Sequence, residues 1–514
     1  MSKTIIIIGA GLAGLSAALQ AAENGCNVKL VSSLPSERAQ SVMAEGGINA
    51  ALNTKDENDS PEEHFTDTIK AACGLADPNA VWGMTQAAPE LVHWLLKLGV
   101  KFNMSGYDDV DLRNFGGQKK KRTAFAQSDT GKQIMTAMID AVRRKEASGM
   151  VERFSHHSFL TLRLCDNICC GCVIRDEYSQ ETVELPGDAV IVATGGMHGL
   201  FGNTTGSLSN TGEVTAELFR LGVPLANGEM IQYHPTTVKC GGKRMLISEA
   251  ARGEGGRLFA LRNNQPWYFM EEKYPELGNL MPRDITAREI WKVSHESEVF
   301  LDMTEISEEI ISNKLSGLAD DCMTYLHKDI RKEPVSVLPG IHYFMGGILV
   351  DEQHRTPIQN LYAAGECCAQ YHGANRLGGN SLLGALYGGR VAAKSACEQA
   401  DVVDLSCATQ IDFPPTSQIS EIKQLNKVMQ ETMGVVRNEN TLLNGIQTVQ
   451  ALTGNLPLLG MAVLKSALAR KESRGAHWRE DYPKSNDNDY LKTTVARFDG
   501  KQIQISFVPV PERR

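Results

Sequence analysis

The chain opens on TIIIIGAGLAGLSAAL, residues 4–19, in which four isoleucines run into glycines at 9, 11 and 14 and then into leucines and alanines at helical spacing. An apolar strand that feeds a G-x-G-x-x-G turn and a helix is built to hold a dinucleotide. Gly9 permits the tight turn. Gly11, between Ala10 and Ala13, lets the backbone approach a pyrophosphate, and Gly14 lets the helix pack close to the strand. The helix N-terminus then attracts the phosphate charge. The second strand is expected in NVKLVSS, which ends on Ser32 and Ser33 without the carboxylate that often bonds the ribose. The Ser32 hydroxyl is the available substitute.

This reading also covers the apolar start of the chain. A strand, a turn and a helix account for it better than a secretory leader, which needs a charged start and a cleavage site. At 514 residues, with 42% hydrophobic and 22% charged residues, the composition is that of a soluble globular protein with room for two to four domains. No uninterrupted apolar run of about 18 residues occurs, so no membrane span is expected. The net charge of -9 and the lack of a long basic run argue against a nucleic-acid partner. Lys119, Lys120, Lys121 and Arg122 form one short basic patch, which reads as a solvated loop. A cytoplasmic protein is expected. Cys169, Cys170, Cys172, Cys367 and Cys368 lack the repeated spacing of a zinc or iron–sulfur site and read as ordinary reduced cysteines. No metal site is expected, and cluster electrons would have to come from another chain.

Two further apolar stretches end in small residues. GDAVIVATGG, residues 187–196, supplies Ala193, Thr194 and Gly195; NLYAAGE, residues 360–366, supplies Glu366. Strand ends of this kind line an extended FAD. Their distance from the first motif implies a nucleotide domain that is interrupted by an insertion and then resumes.

Four segments carry unusual polar residues: QYHPTT with His234; LISEAARGEGG with Ser248, Glu249 and Arg252; MPRDITAREI with Pro282, Arg283 and Asp284; and IHYFMGGI together with HGANRLGGNSL, holding His342 and Arg376. Taken singly, each has a structural explanation, such as a surface histidine or an Arg–Glu pair. Together, arginines and histidines set among small residues suit a dianion. A guanidinium fork matches a carboxylate in two parallel hydrogen bonds, and a dicarboxylic acid needs donors at both ends.

In these motifs, and in their order and spacing, the sequence resembles the flavoprotein subunit of succinate dehydrogenase and fumarate reductase, the complex II family, which includes L-aspartate oxidase. The resemblance runs from about residue 3 to about 398 and returns in ARKESRGAHWREDYP, residues 469–483. It implies that His234, Ser248, His342 and Arg376 hold the substrate carboxylates, with Phe115 and Gly46 beside the substrate. Ser248 stands where threonine is usual. It further implies that Arg283 donates the proton and that Glu249 and Arg252 relay protons behind it. Glu213, in place of a common aspartate, Glu366, Arg376, Ser381 and Leu382 would contact FAD. Met345 and Phe344 are expected to line the pocket. The implied reaction is hydride transfer from flavin N5 to one alkene carbon of fumarate, with an arginine protonating the other. Succinate oxidation, L-aspartate oxidation and reduction of another α,β-unsaturated carboxylate are the alternatives. In L-aspartate oxidase a glutamate before the Gly-Gly pair meets the substrate amine. Phe115 occupies that place here, which disfavours an amino-acid substrate.

ERAQSVMAEGGINAAL, residues 37–52, is similar to the flavin-contacting loop of the family. Ser41 would hydrogen-bond FAD, and Gly46 and Gly47 would admit the backbone to the ring. Aligned on AEGG, the family's flavin-linking histidine falls on Gln40. Glutamine cannot make that bond, and no histidine precedes His64. FAD is therefore expected to be non-covalent, a weaker oxidant and a better reductant.

The expected architecture is α/β: a split Rossmann-type FAD-binding domain (1–228 and 340–400), an α+β capping insertion (229–339) and a mainly helical C-terminal domain (415–514) whose last segment, from Arg497, forms a hairpin. Set against the resemblance, the helical region is expected to be shorter than in the membrane-bound enzymes. An iron–sulfur subunit or another soluble electron donor is the expected partner, with membrane association only through such subunits.

Overall fold

The structure, a computed structural model, describes residues 2–106, 108–401, 411, 413 and 418–514. The opening residues 415–417 of the expected C-terminal domain lie outside the described residues.

Ile5, Ile6, Ile7 and Ile8 are all buried. A strand that is apolar on both faces belongs in the middle of a parallel sheet covered on both sides. That is where Thr4–Ile8 lies: the order is Leu361–Ala363, Ala189–Val192, Thr4–Ile8, Asn27–Ser32, Val151–Ser155, and every pairing is parallel. Strand 361–363 therefore joins the same sheet as the N-terminal strands. Helices Leu12–Glu23 and Asn380–Gln399 share one core with the sheet, built from residues such as Ile7, Leu15, Leu30, Ile191 and Leu386. The small residues of both helices let them pack closely; a Cβ on Gly389 would come within 2.3 Å of the Ala13 carbonyl oxygen.

Residues 231–344 include two antiparallel sheets. One joins Lys243–Leu246, Ile231–Cys240 and Leu338–Phe344; the other joins Gln265–Trp267, Arg257–Arg262, Val299–Asp302 and Val335–Ser336. Their core of Ile247, Leu258, Ile290 and Leu301 also takes in Phe115 from the first part of the chain. This positions the helices Glu249–Gly253 and Arg283–Val293 over the nucleotide sheet.

Toward the C-terminus, helices Ile419–Thr432, Glu439–Val449 and Asn455–Ala469 pack Leu425, Met429 and Leu459 against Phe201 and Phe219. The hairpin begins at Lys492, earlier than Arg497, because Thr493, Thr494 and Val495 suit a pleated strand. Strand Lys492–Phe498 pairs with Leu225–Ala226, so the chain end completes a sheet of the nucleotide half.

One expectation needs correction. Arg122 is not solvated: it is fully buried, 2.8 Å from Asp59 and 2.9 Å from Asp67, because an arginine in this loop neutralises two carboxylates on the opposite segment. The five cysteines singled out above are free, whereas Cys165 is disulfide-bonded. No helix among the described residues is long and apolar enough to cross a membrane.

Candidate functional site

The carboxyl ends of the parallel strands, the loop 38–47 and the underside of the 231–344 region enclose one cavity of about 520 Å³. Gly9, Ala10, Gly11, Ala13 and Ser32 line it, as do Gln40, Ser41, Gly46 and Gly47. Ala193, Thr194, Gly195 and Glu213 add to the wall, with Glu366, Ser381 and Leu382. The same cavity takes in Phe115, His234, Ser248, Glu249, Arg283, His342 and Arg376.

Four of the expected residues do not reach it. Gly14 sits behind the first turn, where a Cβ would lie 1.9 Å from the Gly9 carbonyl oxygen, so its part is the close helix–strand contact. Arg252 lies behind Glu249. Phe344 and Met345, also expected on the wall, are absent from it. Phe344 turns into the core against Phe201 and His198, and Met345 packs with Leu75 and Met230; Tyr343 lines the cavity instead.

The walls fit FAD. A Cβ on Gly9 would stand 2.3 Å from the Ala193 carbonyl oxygen, so the turn tolerates only glycine there, at φ 110°. Ser32 Oγ is buried with no partner among the described residues, which leaves it open to a ribose hydroxyl. Ser41 Oγ accepts from Leu12 N–H at 3.3 Å and so ties the 38–47 loop to the start of the helix. A Cβ on Gly46 would meet the Phe115 ring at 2.8 Å.

The polar end of the cavity is a guanidinium–carboxylate chain. Arg283 donates from Nε at 2.8 Å and from Nη2 at 2.6 Å to Glu249 Oε2. Arg252 donates from Nη2 to Glu249 Oε1 at 3.2 Å and from Nη1 to the Asn279 carbonyl at 2.6 Å. Glu249 is buried, which by itself raises its pKa, but the flanking Arg283 and Arg252 more than reverse this and hold it below the usual carboxylate range. Gln232, unremarked in the sequence, fixes the other side of Arg283. Its Oε1 accepts from Arg283 Nη1 at 3.1 Å, while its Nε2 donates to the Asn375 side chain at 2.9 Å and to the Arg376 carbonyl at 2.8 Å. Its only sequence signal is that it lies two residues before His234 on one strand, where side chains share a face.

Arg376 rests 4.2 Å over the Tyr343 ring, and its Nε is buried without a hydrogen-bond partner among the described residues. Burial and the nearby Arg283 push its pKa down to about 9, so it remains a cation at neutral pH. The His234 and His342 rings are 5.0 Å apart edge to face. Burial first, then Arg283, drives both pKa values well below the usual histidine value, so both rings are neutral. His342 Nδ1 is 2.8 Å from Thr205 Oγ1, and His234 Nδ1 is 3.1 Å from the Thr236 carbonyl. At this end of the cavity the guanidinium groups of Arg283, Arg252 and Arg376 gather around the carboxylate of Glu249 and outnumber it. A small dianion is the complementary ligand.

Residues 4–382 match the FAD binding domain family, and residues 452–513 match the fumarate reductase flavoprotein C-term family. The chain is 37% identical to the succinate dehydrogenase flavoprotein subunit of Bacillus subtilis, over 100% of this chain and 98% of that one. It is 32% identical to the 8-methylmenaquinol:fumarate reductase flavoprotein subunit of Wolinella succinogenes, over 100% and 92%. Among solved structures, it superposes on an E. coli quinol fumarate reductase chain with a TM-score of 0.88 at 27% identity, covering 99% of this chain and 97% of that one.

Proposed function

The chain belongs to the flavoprotein subunits of the succinate dehydrogenase and fumarate reductase family, FAD-dependent oxidoreductases, and from that premise we propose that it works as a fumarate reductase with non-covalent FAD. The observation that carries the substrate class is Arg376 Nε, a buried donor without a partner among the described residues, beside the Arg283–Glu249–Arg252 chain. An unmade hydrogen bond of this kind costs about 1–3 kcal/mol, and a substrate carboxylate would supply it.

When bound, FAD supplies the hydride that the alkene accepts. The protein does the rest. Arg376, His342, His234 and Ser248 grip the two carboxylates, and the neutral imidazoles donate without adding charge. Negative charge that develops on the substrate as the first carbon is reduced is stabilised by the fixed guanidinium groups. Arg283 then gives a proton from a guanidinium nitrogen to the second carbon. Fumarate has by then gained one hydride and one proton, which makes succinate. An arginine is a weak acid at pKa above about 12, so it can serve only if its lost proton is restored at once. Glu249, ionised and bonded through Oε2 to Arg283 and through Oε1 to Arg252, would pass a proton from the Arg252 guanidinium to Arg283 and end unchanged, and solvent would return the proton to Arg252. Closure of the cap over the strand ends would exclude water and strengthen each of these interactions. Phe115 lines the cavity where an amine-binding carboxylate would favour an amino acid.

Gln40 lines the cavity and has no imidazole to form a flavin bond. A loosely held, low-potential cofactor favours electron flow toward fumarate. Electrons would come from a separate donor, for which an iron–sulfur subunit is our first choice. Precipitation with acid should release all of the FAD into the supernatant. Fumarate reduction with a low-potential dye should run much faster than succinate oxidation with a high-potential dye. FAD retained in the pellet, or robust succinate oxidation, contradicts this reading.

A further inference from the structure

His198 is a fully buried imidazole that the reaction above does not use. It opens the turn His198–Leu200, two residues beyond Gly196, and does not line the cavity. Its position is built rather than accidental. A Cβ on Gly206 would come 2.2 Å from the ring, so that position admits only glycine, and Phe344 packs against the ring edge to face at 5.0 Å.

The proton arrangement of the ring follows from its neighbours. Thr204 is fully buried; its Oγ1 accepts from Gly206 N–H at 3.2 Å and lies 3.0 Å from His198 Nδ1. Among the described residues no other acceptor is available to the Thr204 hydroxyl hydrogen, and a buried hydroxyl rarely forgoes its bond. The hydroxyl therefore donates to Nδ1, and the ring hydrogen sits on Nε2. Among the described residues Nε2 has no hydrogen-bond partner, and it faces Glu366 Oε1 at 3.7 Å. Glu366 in turn borders the cavity, and its Oε1 already accepts from Phe344 N–H at 3.1 Å.

We propose that His198 is a positioning residue for the cofactor: its Nε2–H, together with Phe344 N–H, fixes the Glu366 carboxylate so that the other oxygen is free to take a hydrogen-bond donor of FAD. This rests on the reading that Glu366 faces FAD. Closing the 3.7 Å gap to bonding distance is a small movement, and it leaves the carboxylate charge partly offset on the protein side. Without the Nε2–H, the carboxylate is mobile and its negative charge opposes reduction of the neighbouring cofactor.

The test measures FAD dissociation from reconstituted apoprotein, by flavin fluorescence, together with the midpoint potential of the bound FAD. H198F keeps the ring against Phe344 but removes the donor; it should weaken FAD binding about tenfold, the equivalent of one charge-assisted hydrogen bond, and lower the potential. H198Q keeps an N–H and should restore both values toward wild type. T204V, which leaves the ring packing intact, should move both in the same direction as H198F and carries the test if H198F does not fold. E366Q should show the larger defect, and H198F combined with E366Q should be no worse than E366Q alone. If H198F and T204V match wild type in both readouts while E366Q is impaired, the proposal is overturned and the reading of Glu366 stands. If E366Q also matches wild type, the reading of Glu366 itself has failed.

Discussion

Arg283 is held from three sides by Glu249 and Gln232, a geometry that leaves little freedom for its proton to go anywhere but the cavity or Glu249. A positioned acid contributes about 10²–10⁴-fold. Arg283→Gln should therefore lower fumarate turnover by that factor while the purified protein stays yellow; steady-state rates and the flavin spectrum check both halves. Glu45 gives a pH prediction. Burial, then Asp321, raises its carboxyl to about 8 from 4.5, while Arg113 pulls the other way. A carboxyl whose folded pKa is raised stabilises the fold fully below its unfolded value and loses that contribution as pH rises through the folded value. Stability should thus fall between about pH 4.5 and 8. Glu45→Gln should flatten that slope by on the order of 1–3 kcal/mol, allowing for partial exposure. Urea melts across the window read this directly. At this scale the sequence was informative where chemistry is rare and silent where it is common. Arg283, Arg376 and His342 stood out. Gln232 and His198 did not, because an amide or a lone imidazole has meaning only through what it touches.

Among the elements, the first turn and its helix were legible because their geometry is set by contacts close in sequence. Gly14→Ala would place a Cβ 1.9 Å from the Gly9 carbonyl oxygen, so the turn must open. That variant should purify without FAD, as the absorbance ratio of flavin to protein will show. The loop holding Lys119–Arg122 illustrates the opposite case. Its basic run reads as surface until the distant Asp59 and Asp67 are known to meet Arg122 in the interior. Removing one partner of a buried ion pair costs about 3–5 kcal/mol, so Arg122→Ala should lower the thermal midpoint by several degrees or prevent folding. The swing of Phe344 away from the cavity was equally hidden. It was expected on the pocket wall, but Phe201 and His198 offered it a better-packed home.

For the molecule as a whole, the α/β class and the return of the chain to its first sheet followed from buried strands ending in small residues. Where the C-terminal hairpin would attach did not: it adds to Leu225–Ala226, a pairing far apart in sequence that no local pattern announces. The result joins sheet and cap around one cavity, with the dinucleotide-motif wall and the cationic end facing the same space. The central claim is that this space reduces fumarate. The direct measurement is a single turnover: reduce the FAD-loaded protein without oxygen, mix it with fumarate, and follow the return of the oxidised flavin spectrum. The account predicts rapid reoxidation by fumarate, slow reoxidation in Arg283→Gln, and little bleaching of the oxidised protein by succinate. A reduced protein that fumarate leaves bleached would contradict it.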